Sequence, residues 1–176
     1  DAGGAGTGFI VTAESIIVNN INTSVAAGDA GVITLTATSG DIAAGALTAT
    51  AAAAGKNGAV VTLDAADDLT VTEIATNSTA LGGNISLTAG DNISLSGNLT
   101  ATGGTAAGGA VTLNATSTTI AATTIDSTGT GDGPVSITGT VEGSGGTLAI
   151  VANSANVTLA GAIGGNDALA LVDITT

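Results

Sequence analysis

Four aspartates occupy similar positions relative to short apolar phrases of the chain. Asp41, Asp67, Asp68 and Asp91 each precede an apolar residue by one or two places. If those apolar residues stack, the carboxylates gather on one edge at about 4.8 Å per step, the spacing of neighbouring strands. Clustered carboxylates repel one another unless water screens them or a hard cation such as calcium bridges them. The aspartates are therefore calcium candidates, with a solvated acidic edge as the alternative, and we expect no other cofactor.

Paired carboxylates are also the catalytic groups of glycosidases. Such sites usually recruit histidine, arginine, lysine or aromatic side chains to orient a sugar, and this chain has no histidine, one cation (Lys56) and one aromatic residue (Phe9). A serine nucleophile would lack a histidine base, and the absence of cysteine excludes thiol chemistry and disulfides. We therefore expect a protein that is not an enzyme.

Asparagines in Asn-x-Ser/Thr sequences form the acceptor pattern for N-linked glycans. They are Asn22, Asn77, Asn84, Asn92, Asn98, Asn114 and Asn156. In a chain this rich in Asn, Ser and Thr, most such matches arise by chance. The functional interpretation is glycosylation of an exported fibre.

Threonine pairs are a further candidate, because flat Thr-x-Thr ladders resemble the ice-binding faces of some β-solenoids. The pairs Thr48-Ala-Thr50 and Thr100-Ala-Thr102 fall on the same predicted face, two repeats apart. Other residues interrupt the array in the repeats between and after them. The β-propensity of threonine on a solvated face is therefore the simpler explanation. An ordered array of outward residues at a constant offset would instead favour a binding face.

The element that must position these side chains is a repeated phrase, apolar-x-apolar-x-small. Its central residues, which are spaced 22 to 28 apart, are Val11, Leu35, Leu63, Leu87, Leu113, Ile137 and Leu159. The period-2 alternation predicts strands, and no window shows the spacing of an amphipathic helix. A repeat of this length is too short to bury its own apolar face, so it indicates a solenoid whose core forms by stacking.

Two further apolar positions follow each phrase. The expected second column is Ile17, Ile42, Leu69, Ile93, Ile120, Val141 and Ile163, and the expected third column is Ile21, Leu47, Ile74, Leu99, Ile125, Leu148 and Leu169. Three short strands per coil predict an all-β fold, a single-stranded parallel β-helix (β-solenoid). We expect about seven coils of 22–28 residues that form one domain over residues 1–176, about 34 Å long at the strand spacing.

Two segments resemble the β-strand repeats of filamentous-haemagglutinin-type adhesins and related giant bacterial surface proteins. They are residues 83–102, GNISLTAGDNISLSGNLTAT, and residues 109–115, GAVTLNA. The likeness spans essentially the whole chain. It implies an exported, right-handed β-helix that serves in adhesion, biofilm matrix or surface layers. It also implies a place outside the cell or on its surface, with host or matrix glycans as candidate partners.

Charge and the ends of the chain bear on its partners. With 14 acidic residues and one cation, the net charge of −13 disfavours nucleic acid and anionic membrane. No apolar run approaches the length that spans a bilayer. Neither end shows the polar cap that a solenoid needs, so we expect either a part of a longer solenoid or ends that dock head to tail. The strand pattern continues at both ends, through Phe9 and Val11 at one and Leu169, Leu171 and Ile174 at the other.

These features predict an extracellular β-solenoid fibre or adhesin shaft that stacks end to end into filaments, with a second copy of the chain as its partner. The alternative is a calcium-, glycan- or ice-binding β-solenoid module that uses one flat face bearing Thr, Asp or Asn.

Overall fold

The computed structural model describes residues 5–176 of the chain, and every regular element in this part is a β-strand. The strands are β1 (Phe9–Ala13), β2 (Ile16–Val18), β3 (Ile21–Asn22), β4 (Ile33–Ala37), β5 (Ile42–Thr48), β6 (Val61–Ala65), β7 (Leu69–Ala75), β8 (Ile85–Ala89), β9 (Asn92–Leu95), β10 (Leu99–Thr100), β11 (Val111–Asp126), β12 (Val135–Val151), β13 (Val157–Leu159) and β14 (Leu171–Thr175). None of the residues described forms a helix able to cross a membrane.

The strands stack as about seven coils, and all of their pairings are parallel. Strands β1–β3 form coil 1, β4–β5 coil 2, β6–β7 coil 3, β8–β10 coil 4, β11 coil 5, β12 coil 6 and β13–β14 coil 7. Each coil contributes a first, a second and a third segment to the stack. In β11 and β12 the three segments run on as one long strand. The prediction of an all-β parallel solenoid is confirmed.

The first segments stack in unbroken register from coil 1 to coil 7. The central residues of the repeated phrases pair in chain order, from Val11 with Leu35 to Ile137 with Leu159. Leu87, in the middle of this column, is fully buried. Alternate residues of a strand point to opposite faces, so one apolar column lines the interior while the residues between point outward.

Coils 1 to 5 are each closed by a hydrogen bond between the end of the third segment and the chain that returns to the next first segment. In coil 3, the Gly83 amide donates to the Thr76 carbonyl at 2.9 Å, and Thr76 Oγ1 donates to the Gly83 carbonyl at 2.6 Å. A Cβ at Gly83 would lie 2.0 Å from the Ala59 carbonyl oxygen. Only glycine lets the coils approach this closely.

The prediction for the second column is wrong in coil 1. Ile16 pairs with Ile42, whereas Ile17 points outward and is 86% exposed. The two isoleucines are adjacent, and the corner after Ala13 is shorter than the corresponding corner in coil 2. Periodicity alone could not choose between them.

The prediction is also wrong in coil 5, where a threonine occupies the second column. Thr118 pairs with Ile93 below and Val141 above, and it is fully buried. Ile120 is buried too, but one inward position further along, where it pairs with Leu95. The polar residue was excluded from the predicted column because the pattern was sought among apolar residues only.

The third column departs from prediction in the last two coils. Ile150, and not Leu148, pairs with Ile125, and Ile174, and not Leu169, pairs with Ile150. Register shifts between β11 and β12 move the later part of coil 6 relative to the expected spacing. Leu148 remains fully buried in a neighbouring inward position.

Candidate functional site

The outward positions of the first segments form two continuous columns. One of them, the Thr34 column, consists of Thr34, Thr62, Ser86, Thr112, Ser136 and Thr158. The other, the Thr12 column, consists of Thr12, Thr36, Asp64, Thr88, Asn114 and Thr138. We call the two columns together the hydroxyl face.

The geometry of the hydroxyl face follows from strand pairing. Neighbours within a column are about 4.8 Å apart, and the two columns are separated by two residues of strand, about 6.6 Å. Within residues 5–176, no hydroxyl of this face forms a hydrogen bond with another protein group. Asp64 is the one charged side chain among these twelve positions. Ten of the twelve positions are thus hydroxyl groups without hydrogen-bond partners in the described part of the protein, and the other two are Asp64 and Asn114.

The threonine pairs singled out in the sequence, Thr48/Thr50 and Thr100/Thr102, lie on the third segments and not on the hydroxyl face. The structure confirms that those pairs lie two coils apart, with Ala75 between Thr48 and Thr100. Their hydroxyls are partly used inside the protein, because Thr50 Oγ1 donates to a serine hydroxyl and Thr100 Oγ1 accepts from Asn77 Nδ2 at 3.1 Å. The regular array consists of the residues that alternate with the apolar residues of the repeated phrase, and this alternation is the sequence signal that could have revealed it.

The aspartates predicted to bind calcium lie on one corner of the coils, in two neighbouring columns. Asp41 Oδ1 accepts the Asp68 amide at 3.1 Å, and Asp68 Oδ1 accepts the Asn92 amide at 3.1 Å. In the other column, the Asp91 amide donates to the Asp67 carbonyl at 3.1 Å. The carboxylates are exposed, and two of them help to pair the coils.

Across the residues that the structure describes, no group of three or more acidic, histidine or cysteine side chains is arranged to hold a metal ion. This part of the chain contains no concave pocket either. Calcium binding stays a prediction, for which the structure offers neighbouring aspartates in stacked coils.

The candidate glycosylation asparagines differ in how far their side chains are engaged. Asn77 and Asn92 are half-buried, whereas the other five are exposed. Asn84 accepts an amide of the next coil at 2.9 Å, and Asn98 does the same. Among the described residues, the side chains of Asn114 and Asn156 form no hydrogen bond. These two are the most accessible acceptors.

A buried glutamate that sequence reasoning did not single out fixes the corner of coil 7. Glu142 is 6% exposed, and its Oε2 accepts the amides of Asn166 and Asp167 at 2.9 Å each. These two donors lower the pKa of Glu142. Its other oxygen, Oε1, is buried without a partner among the described groups. Glu142 therefore attaches the last coil to coil 6.

The residues expected to mediate assembly lie at the two ends of the stack. Strand β1 pairs only with β4, and β13 and β14 pair only with β12, so within residues 5–176 the outer edges have no neighbour. Phe9, Leu171 and Ile174 are exposed, and Val11 is partly buried. Leu169 is also partly buried and covers the glycine at position 143.

Comparison with protein-family models, curated proteins and solved structures finds no match to the chain. The assignment of the fold is therefore based on the structure and on the repeated phrase alone.

Proposed function

We propose that this chain is a non-enzymatic structural protein, an extracellular β-solenoid fibre or adhesin shaft that stacks end to end into filaments. The observation that supports the proposal is that, among the strands of residues 5–176, those of the first and last coils each pair on one side only. Inward apolar side chains are partly exposed at both edges, with Phe9 37% exposed at one end and Ile174 40% exposed at the other. Such an edge is a template for a further strand.

The columns of the fold define how a second copy would dock. Continuing the first column places β1 of one copy on β13 of the next, so that Val11 follows Leu159. Continuing the third column places Ile21 on Ile174. Phe9 and Leu171, both expected to mediate assembly, lie on different segments of the coil and do not face each other across this joint. A filament built in this way advances by about 34 Å per subunit at the strand spacing.

Charge favours this mode of assembly over lateral contact. The net charge of −13 makes the sides of two rods repel each other. The end contact instead adds backbone hydrogen bonds and buries apolar side chains, which are attractive at short range. Salt screens the repulsion, so filaments should lengthen as ionic strength rises.

The extracellular location and the adhesin class rest on the resemblance of the repeated phrases to filamentous-haemagglutinin-type proteins. The composition agrees with a role outside catalysis, because the chain has no histidine or cysteine and one cation. Digestion of intact cells of the source organism with an added protease would test the location. Loss of the chain from intact cells is expected, and full protection would contradict an exposed shaft.

Electron microscopy of the purified chain tests the filament. We expect long filaments for the unmodified chain and short rods for Val11→Lys, which places a charge where the core column continues into the next copy. Ile10→Lys is the matched control, because Ile10 lies on the same strand but points outward and is 69% exposed. Ile174→Asp tests the opposite end, because Ile174 continues the inward third column, and Leu171→Asp is its outward-facing control.

Circular dichroism must show native coils in each variant before the images are compared. Filaments of unchanged length in both Val11→Lys and Ile174→Asp would contradict end-to-end stacking.

A further inference from the structure

The hydroxyl face is not used by end-to-end stacking, because it runs along the side of the rod. We propose that this face binds ice, with crystalline water as its ligand. The proposal is independent of the filament. It rests on the spacing, the low charge, the unpartnered hydroxyls and the rigid support of the two columns.

The spacing of the columns is close to that of a tetrahedral water lattice. Water oxygens joined by a hydrogen bond are about 2.75 Å apart, so two oxygens that share a tetrahedral neighbour are about 4.5 Å apart. Neighbouring hydroxyls within a column are about 4.8 Å apart. Over the five steps from Thr34 to Thr158, the difference accumulates to about 1.5 Å, less than one hydrogen-bond length. The hydroxyls of the Thr34 column can therefore follow one row of the water lattice.

The chemistry of the face suits a neutral solid. Threonine presents a methyl group beside its hydroxyl, so the face combines apolar contact with hydrogen bonding. None of these hydroxyls competes for a protein partner within residues 5–176. Of the 14 acidic residues of the chain, one, Asp64, lies on the face. A charged side chain would have to give up its own hydration to meet a lattice.

The face is also rigid before any ligand binds. Under its central strands lie Leu35, Leu63 and Leu87, all fully buried. Those strands pair on both sides, and the first segments show no register shift. Binding therefore requires little ordering of the protein, which favours a ligand that offers only weak individual contacts.

Crystalline polysaccharides also present hydroxyl lattices, but proteins grip their flat sugar rings with aromatic side chains. The chain has no Trp or Tyr, and its one aromatic residue, Phe9, points inward from β1 and is not on the face. A cation is disfavoured as the ligand because Asp64 is the single carboxylate there. Of these three ligands, ice best fits the composition of the hydroxyl face.

The test measures how much protein enters slowly growing polycrystalline ice and how much stays in the liquid, by electrophoresis of both fractions. Thr112→Lys places a long charged side chain in the middle of the Thr34 column. It points outward, so the coils should fold normally. We expect its retention in ice to fall about tenfold or more, because the charge obstructs the flat contact.

Thr70→Lys is the matched control, since Thr70 is an exposed threonine of β7 on another side of the coil. Its retention should equal that of the unmodified chain. Asp64→Thr should strengthen binding, because it removes the charge from the Thr12 column and adds a hydroxyl there. We expect this variant to be retained several-fold more strongly.

Several results would overturn the proposal. One is exclusion of the unmodified chain from ice to the same degree as an unrelated soluble protein. Another is equal retention of Thr112→Lys and Thr70→Lys. Binding to crystalline chitin or cellulose without retention in ice would identify a polysaccharide ligand instead. Lateral dimers that Thr112→Lys abolishes, without retention in ice, would identify a second copy. None of these results bears on the filament, which is judged from images of the ends.

Discussion

The first segments of the coils keep one register through the whole stack, whereas the second and third segments change register between coils 5 and 6. Pairing of β11 with β12 is continuous from Val111 to Asn114 but shifts twice after that point. The difference shows what sets the register of a solenoid. A repeated alternating phrase fixes it directly, while a segment that follows a corner of variable length depends on that corner.

The contrast extends to packing. The first column is apolar in every coil, but the second column contains the fully buried Thr118, whose Oγ1 has no partner among the described groups. One inward position further along, coil 6 has Gly143 where the coil below has Ile120. A Cβ at Gly143 would lie 2.5 Å from Leu169 Cδ2, so Leu169 fills the space that the missing side chain leaves. The upper coils are therefore held together by compensating contacts.

The largest expected effect comes from breaking the first column. Leu87→Asp should prevent folding, because an unpaired buried charge costs about 3–5 kcal/mol or more. Ile17→Asp is the matched control, since Ile17 was predicted to be in the core but is 86% exposed. Circular dichroism and resistance to protease report the outcome. A native spectrum for Leu87→Asp, or unfolding by Ile17→Asp, would show that the register is wrong.

This comparison also shows how far the sequence determines the fold. The repeated phrase was sufficient to predict the strands, the parallel stack and the column from Val11 to Leu159. It could not distinguish Ile16 from Ile17, because the corner before them sets which one points inward. Glu142 escaped notice for a similar reason, since it becomes buried only when the corner at residues 164–167 folds over it.

The hydroxyl face could have been predicted from the same phrases. Outward residues are fixed once the inward ones are known, so Thr34 and Thr62 follow from Leu35 and Leu63. The predicted interruption of the threonine array applied to the third segments only.

A smaller effect is expected where coil 6 meets coil 7. Leu169→Ala should lower the free energy of unfolding by about 2 kcal/mol, near the low end for leucine truncation because the side chain is only partly buried. Leu171→Ala, at a residue that is 56% exposed, should change it by less than about 0.5 kcal/mol. Urea denaturation measures both. Equal costs would mean that Leu169 does not compensate for Gly143.

Two fully buried threonines sharpen the comparison between satisfied and unsatisfied positions. Thr118→Val should stabilise the protein by about 1 kcal/mol, because it removes an unpaired hydroxyl without changing the volume much. Thr76→Val should destabilise it by about 1 kcal/mol, because Thr76 Oγ1 donates to the Gly83 carbonyl at 2.6 Å. Melting temperatures that move in the same direction for both variants would contradict this account.

The smallest expected effect is the acid sensitivity of the contact between the loop that joins coils 5 and 6, which contains Asp132, and the loop that joins coils 6 and 7, which contains Ser154. Asp132 Oδ2 accepts the amide of Ser154 at 3.0 Å and its hydroxyl at 2.7 Å, while Oδ1 accepts the Gly129 amide at 3.1 Å. With the Ser154 amide as the largest cause, these donors lower the pKa of Asp132 from 3.8 to about 2.

Between these two pKa values the unfolded chain binds a proton that the folded chain does not, so the contribution of Asp132 to stability is complete above pH 4 and is lost as the pH falls toward 2. Asp132→Asn should therefore be less stable than the unmodified chain at neutral pH, and the difference in melting temperature should shrink as the pH falls from about 4 to about 2. Groups that the two proteins share contribute equally to both melting temperatures and cancel in the difference. Asp64→Asn is the control, because Asp64 forms no side-chain hydrogen bond in the described part of the chain, and its melting temperature should follow that of the unmodified chain. If the difference for Asp132→Asn stays constant over this range, the carboxylate does not hold the two loops together, and backbone contacts do.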